Sequence, residues 1–243
     1  MTPPVFYVDG AVLRGDSITL DGPEGRHAAV VRRVTKGERV DLADGAGAVA
    51  ECVVRRVDGA VVHLDVVGRR TEPAPKPRLV VVQALVKGAA EDAVTQMTEV
   101  GVDQVVPWAA SRSIVQWEGP RGEKARARWQ AAAREAGKQS RRGFLPQVAE
   151  LATTADVAGR LRAASLGVVL HEGADTPLAG LAVPSAGDVI VVVGPEGGIS
   201  DDELRTFADA GAGAYRMGPT VLRAATAGTV AAAVLLSATP RWS

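Results

Sequence analysis

Pro73, Pro75 and Pro77 stand at alternate positions in the stretch Arg69–Arg78, RRTEPAPKPR, and no regular element runs through such a spacing. Each proline lacks a backbone N–H and fixes its φ, so the segment is extended, semi-rigid and without ladder donors. The chain is thereby divided into residues 1–70, a linker at 71–77, and residues 78–243. Before the linker, short β-rich runs alternate with Gly/Asp turns: SITL then DGPEG, RVDLADGAG, AECVVRRVDGA and VVHLDVVG. Strands this short, punctuated this regularly, predict a small antiparallel barrel or sandwich.

After the linker the pattern changes to strand–helix alternation. RLVVVQALV, VDQVVPW, LGVVLHEG and DVIVVVGPEGG read as buried strands. AEDAVTQMTEVG reads as an amphipathic helix ending at Gly101, EKARARWQAAAREAGKQS as a long helix, and TVLRAATAGTVAAAVLLS as a closing helix of small residues. This order predicts an α/β fold, a mainly parallel sheet with helices on both faces.

Several classes are excluded by what is missing. The longest apolar runs fall far short of the roughly 20 residues that a membrane-spanning helix needs. MTPPVFYVDG has no basic segment followed by an apolar one and does not resemble a secretion signal. A single cysteine, Cys52, allows neither a disulfide framework nor a cysteine zinc site, so a reducing, cytoplasmic setting without a metal is expected. The formal net charge is zero, which argues against coating nucleic acid by bulk attraction. Between Arg112 and Leu145, however, nine bases face three acids. Either this run is a solvated helix face or it meets a polyanion.

The stretch VIVVVGPEGGISDDELRTF carries the strongest local signal. Ligands of open α/β sheets bind where strands end and helices begin, and Gly194, Pro195, Glu196, Gly197 and Gly198 lie there. Ser200 and Glu203 form a capping box that starts a helix at Asp201. Asp201, Asp202 and Glu203 then complement the helix dipole and would repel a phosphate. The P-loop ending and the dinucleotide-binding glycine spacing are both absent, which favours a cationic or zwitterionic ligand or a plain capped turn. Two other strand ends, Leu170-His171-Glu172 and the run Met217, Gly218, Thr220, Leu222, Arg223, could converge with it on one pocket.

Taken in order, VVGPEGGISDDEL and MGPTVLRAATAG closely resemble the paired signature of the RsmE family, ribosomal small-subunit RNA methyltransferases that modify uridine at N3. KGAAEDAVTQMTEVGVDQVVPW, RWQAAAREAGKQSRRGFLPQV and, in the first part, GRHAAVVRRVTKGERVDLADGAG are similar to further family segments. The resemblance implies a PUA-like RNA-binding β-barrel at 1–70 and, from Arg78, a SPOUT-class methyltransferase domain with a C-terminal trefoil knot. It also implies S-adenosylmethionine as cofactor, a homodimer, and small-subunit (16S) ribosomal RNA or the assembled subunit as partner. Ala225 stands where many members have glutamate, so that residue's role is not carried over.

On this reading Leu170, His171, Glu172, Gly194–Gly198, Met217, Gly218, Thr220, Leu222, Arg223 and Thr226 hold the cofactor. Arg223 holds the uridine, either by stabilising negative charge that develops on a uracil carbonyl or by gripping phosphate, and Glu172 or Glu196 accepts the N3 proton. His27, Arg32, Arg33, Arg134, Lys138, Arg141 and Arg142 dock RNA, the last four from the second domain. A catalytically silent RNA-binding or assembly factor remains the alternative, which the Ala225 departure permits. A nicotinamide-dependent dehydrogenase would need a glycine fingerprint at an early strand, whereas GAGAY lies at Gly211–Tyr215.

Overall fold

The structure is a computed structural model that describes residues 3–242. The chain forms two compact units: one takes the chain up to Ala74 together with Gly137–Leu145, the other Pro75–Ala136 and everything from Pro146 onward.

In the first unit, β1 (Val5–Tyr7), β2 (Ser17–Leu20), β3 (Arg39–Ala43), β4 (Ala48–Asp58) and β5 (Val61–Thr71) form one sheet in the order β1-β3-β4-β5-β2, with a short helix α1 (Gly22–Arg26) after β2. All neighbours are antiparallel except β1 and β3, which pair parallel, so the expected antiparallel sheet is in fact mixed. With three residues, β1 is too short to show a period. It is buried throughout: Phe6 packs with Leu13, Ile18, Leu42 and Leu64, while Val5 and Tyr7 pack with Ala43, Val49 and Leu145. The Tyr7 hydroxyl donates to the Arg142 carbonyl at 2.5 Å, tying the returning segment to β1. Gly137 is needed there, because a Cβ would lie 2.3 Å from Leu145 Cδ2 and 2.9 Å from the Tyr7 oxygen.

The second unit holds β6 (Arg78–Ala84), α2 (Ala90–Val100), β7 (Gln104–Trp108), β8 (Gln147–Val148), α4 (Thr154–Ala163), β9 (Leu166–Leu170), β10 (Asp188–Val193), α5 (Asp201–Asp209), β11 (Gly213–Tyr215) and α6 (Ala224–Ser237). The long helix α3 (Gly119–Gln139) begins in this unit, and its last residues belong to the first. The six strands are all parallel, in the order β11-β9-β10-β6-β7-β8, as the strand–helix alternation predicts. Successive residues of a strand point to opposite faces. Leu79, Val81, Val189 and Val191 thus meet Met97 of α2, Trp129 of α3 and Leu235 of α6, whereas Val80, Val82, Ile190 and Val192 meet Leu161 of α4 and Phe207 of α5. Burial on both faces explains why these strands read as unbroken apolar runs.

Local signals set the helix ends. Gly101 has φ 107°, the left-handed C-terminal position that glycine fills without a Cβ penalty, and α2 stops there. The Ser200–Glu203 capping box is present and α5 starts at Asp201, as expected. The last helix begins at Ala224, not near Thr220, so Thr220–Arg223 are loop and free to line a site.

Candidate functional site

Strand order reverses around β6 and β10, and that is where the carboxyl ends of an open α/β sheet leave a crevice. A cavity of about 750 Å³ opens there, within the usual range for small-molecule sites. Its walls are the loops after β6, β9, β10 and β11 together with the start of α6.

Of the residues expected at a cofactor site, Leu170, His171, Glu172, Gly194, Pro195, Glu196, Gly198, Met217, Gly218, Thr220, Leu222 and Arg223 line this cavity. Gly197 and Thr226 do not. Gly197 turns the other way: a Cβ there would come within 3.1 Å of the Cβ and carbonyl oxygen of Arg112. Thr226 is exposed in the first turn of α6. The loop after β6, with Val86, Lys87 and Ala89, is a further wall that no local sequence signal marks. Only the pairing of β6 beside β10 brings it there. Arg216 is likewise an unanticipated lining residue.

The two carboxylates differ in surroundings. Glu196 Oε1 accepts the Lys87 N–H at 3.1 Å, which ties the glycine loop to the loop after β6. Glu172 is exposed and makes no side-chain hydrogen bond or ion pair among the described residues. Nδ1 of His171 accepts the Gly173 N–H at 3.1 Å, so the neutral ring carries its proton on Nε2. Arg223 is the N-cap of α6 without a side-chain cap bond, and its guanidinium is exposed with no acidic partner among the described residues. Lys87, Arg216 and Arg223 therefore set three cations against Glu172 and Glu196 on the cavity wall.

Behind the glycine loop lies a buried carboxylate. Glu203 is 4% exposed. Its Oε1 accepts the Ser111 N–H at 2.7 Å and the Thr154 hydroxyl at 3.3 Å, and its Oε2 accepts the Ser200 N–H at 3.0 Å and the Ser111 and Ser200 hydroxyls at 3.0 and 2.8 Å. Burial pushes this carboxyl up, but the donors from Ser111 and Ser200 outweigh it and hold it below the ordinary carboxylate range. A carboxyl depressed in this way contributes stability that is fully present above its unfolded pKa of about 4.3 and is lost as pH falls through the lower folded value. Glu203→Gln should therefore destabilise the chain at about pH 7, with the gap narrowing at about pH 3. Urea unfolding at both values checks this, and a gap that ignores pH would assign the effect to packing alone.

An RNA methyltransferase domain family matches residues 72–236, and an RNA methyltransferase PUA domain family matches residues 20–62. A ribosomal RNA small subunit methyltransferase E of Mycobacterium bovis is 41% identical over 247 aligned residues, which cover 100% of this chain and 94% of that protein. The chain belongs to the ribosomal RNA small subunit methyltransferase E family. Two solved structures are similar to this methyltransferase E family member over nearly their whole length. One, a Legionella pneumophila protein described as a methyltransferase in complex with the cofactor SAM, has TM-score 0.83 at 26% identity and covers 98% of this chain and 99% of that one. The other, a Neisseria gonorrhoeae ribosomal RNA small subunit methyltransferase E bound to S-adenosyl methionine, has TM-score 0.82 at 24% identity, covers 97% and 98%, and shows the shared fold. The chain thus carries a PUA domain and a SPOUT-type α/β methyltransferase domain.

In this family member the basic run from Arg112 to Leu145 is largely engaged by the protein itself. Arg126 donates to the Ala149 and Val148 carbonyls, Arg128 pairs with Glu91 at 3.1 Å, and Arg112 reaches the Gly197 and Ile199 carbonyls. Arg134 and Arg142 are half-buried and partnered. Lys138, Arg141 and Arg142 lie in the first unit, not the second as expected. Lys138 is nearly buried in an ion pair with Glu24 at 3.0 Å, with His27 Nδ1 at 3.4 Å from its ammonium. His27 also packs edge-on to Phe6 and thus serves the core. Arg32 pairs with Glu38 at 3.2 Å. Arg33 and Arg141 are exposed, make no side-chain bond among the described residues, and sit at φ 55° and 58°.

Proposed function

We propose that this protein transfers the methyl group of S-adenosylmethionine to N3 of a uridine in small-subunit (16S) ribosomal RNA. The observation that carries this reading is the convergence of the Leu170–Glu172, Gly194–Gly198 and Met217–Arg223 loops on one cavity, in a chain of the methyltransferase E family. The residues present suit the cofactor. Apolar Val86, Val193, Leu222 and Ala227 offer flat surface to an adenosine, and the glycine loop offers backbone amides at close range. Gly194 has no room for a side chain, since a Cβ would lie 2.6 Å from Ile199 Cγ1.

When bound, S-adenosylmethionine supplies a methyl group activated on a sulfonium, attacked in line by the uracil nitrogen. The chain's own task is to orient the uracil, exclude water and manage one proton. Uracil N3 is protonated at neutral pH, so its proton must leave and the resulting anion must be held. Glu172, unengaged on the cavity wall, is the assigned proton acceptor, whereas Glu196 is taken up in joining two loops. Arg223 stabilises the developing charge on a uracil carbonyl. Arg33 and Arg141 contact RNA phosphates.

The same reading extends to the architecture. We assign a PUA-like barrel to residues 1–70, to which Gly137–Leu145 returns, a linker to 71–77 and the methyltransferase domain to the remainder of 78–243. A C-terminal trefoil knot belongs to the same reading, carried by the family resemblance; within that region the Arg216 N–H donates to the Thr176 carbonyl at 2.8 Å and its carbonyl accepts from Leu178 at 2.9 Å. A homodimer belongs to the same reading, as the family resemblance implies. No helix of the described residues is long and apolar enough to cross a membrane, which agrees with a cytoplasmic enzyme. Mass spectrometry of 16S ribosomal RNA from cells lacking the protein should show a uridine without its N3 methyl group, restored on adding the protein back. Unchanged methylation would leave a silent RNA-binding factor as the better reading.

A further inference from the structure

We infer that Glu203, together with Ser111 and Arg112, positions the cofactor-binding glycine loop from behind. The inference rests on the reading of the cavity as the S-adenosylmethionine site. A capping box needs from Glu203 only a bond to its own N-cap residue, and it makes that bond to the Ser200 N–H. The carboxylate also reaches out of α5 to the backbone and hydroxyl of Ser111, in the segment after β7, and to Thr154 at the start of α4. Thr154 in turn accepts from the buried Trp108 indole at 3.3 Å, so the anchor is set in the core.

Ser111 is thus pinned, and the next residue lies across the outside of the glycine loop. The Arg112 guanidinium reaches the Gly197 and Ile199 carbonyls at 3.4 and 3.5 Å, and its backbone packs so tightly on Gly197 that a Cβ there would sit 3.1 Å from it. On the other side, Gly194, Glu196 and Gly198 face the cavity. A ligand loop held between two walls keeps its amides at one spacing, and freeing the outer wall makes the bound geometry one of several. None of these three side chains lines the cavity, so they act through the loop and do not touch the reacting atoms.

Calorimetric titration with S-adenosylmethionine and steady-state methylation of small-subunit RNA test the proposal on Glu203→Ala, Glu203→Gln and Arg112→Ala. Losing hydrogen bonds to a charged anchor should weaken cofactor affinity about tenfold or more in Glu203→Ala. Glu203→Gln keeps an acceptor for the Ser111 N–H and should recover part of that loss. Arg112→Ala removes only an exposed side chain, should fold normally, and should weaken affinity in the same direction. In all three, kcat at saturating cofactor should stay near that of the unsubstituted protein. If Glu203→Ala fails to fold, Arg112→Ala decides. Unchanged cofactor affinity in the folded variants, or kcat falling in step with affinity, overturns the proposal. If the unsubstituted protein itself binds no S-adenosylmethionine, the cofactor reading fails instead, a result distinct from failure of the positioning role.

Discussion

Arg223→Ala should lower methylation of small-subunit RNA by about a hundredfold or more while cofactor affinity stays unchanged, the signature of a group that works on developing charge. The residue is suited to such a test. Its side chain makes no cap bond and no ion pair among the described residues, so alanine removes a guanidinium from the cavity wall and little else. Its carbonyl still accepts the Thr226 and Ala227 N–H groups, both at 2.9 Å, and α6 keeps its start. Single-turnover methylation beside cofactor titration separates the outcomes. Lost cofactor binding would move Arg223 from the uridine to the cofactor, and full activity would remove it from the mechanism.

Arg241→Ala should destabilise the protein by about 3 kcal/mol or more, the usual consequence of breaking a largely buried pair from one side. The Arg241 guanidinium forms a two-pronged contact with Asp103 at 2.6 and 3.1 Å and also donates to the Pro77 and Gly101 carbonyls at 3.0 and 2.7 Å. Asp103 is 9% exposed and also accepts the Leu79 N–H at 2.9 Å, so it is left buried with a weakened partner set. The fork joins the chain end after α6 to the start of β6 and the turn after α2. Urea unfolding measures the loss. A change under about 1 kcal/mol, the worth of an exposed pair, would mean that the fork is dispensable.

Neither residue stood equally plain in the sequence. Arg223 was legible because it follows a strand-end loop and precedes a helix, a local pattern. Arg241 lies 138 positions from its partner, and no periodicity links them. The glycine loop shows the same division. Gly194, Glu196 and Gly198 were legible as a ligand wall, since an apolar strand, a Gly turn and a capped helix are consecutive in the chain. Glu203 was legible as a cap and as nothing more, because Ser111 lies 92 residues away. The basic run misled for the converse reason. Charge counting sees how many cations there are but not which carbonyls and carboxylates they meet, and Arg126, Arg128 and Lys138 meet their own protein.

By itself, then, the sequence determined what depends on neighbours along the chain. It marked the proline break, the two textures on either side, the strand-to-helix loops and the ends of α2 and α5, and its ordered motifs pointed to the family. Backbone geometry and side-chain period act over a few residues, so these leave a local trace. The tertiary structure alone decided which loops share a cavity, that the loop after β6 joins them, that Gly137–Leu145 returns to cover β1, and which charges are engaged. These are contacts between distant residues, set by strand order and packing, and local composition does not encode them.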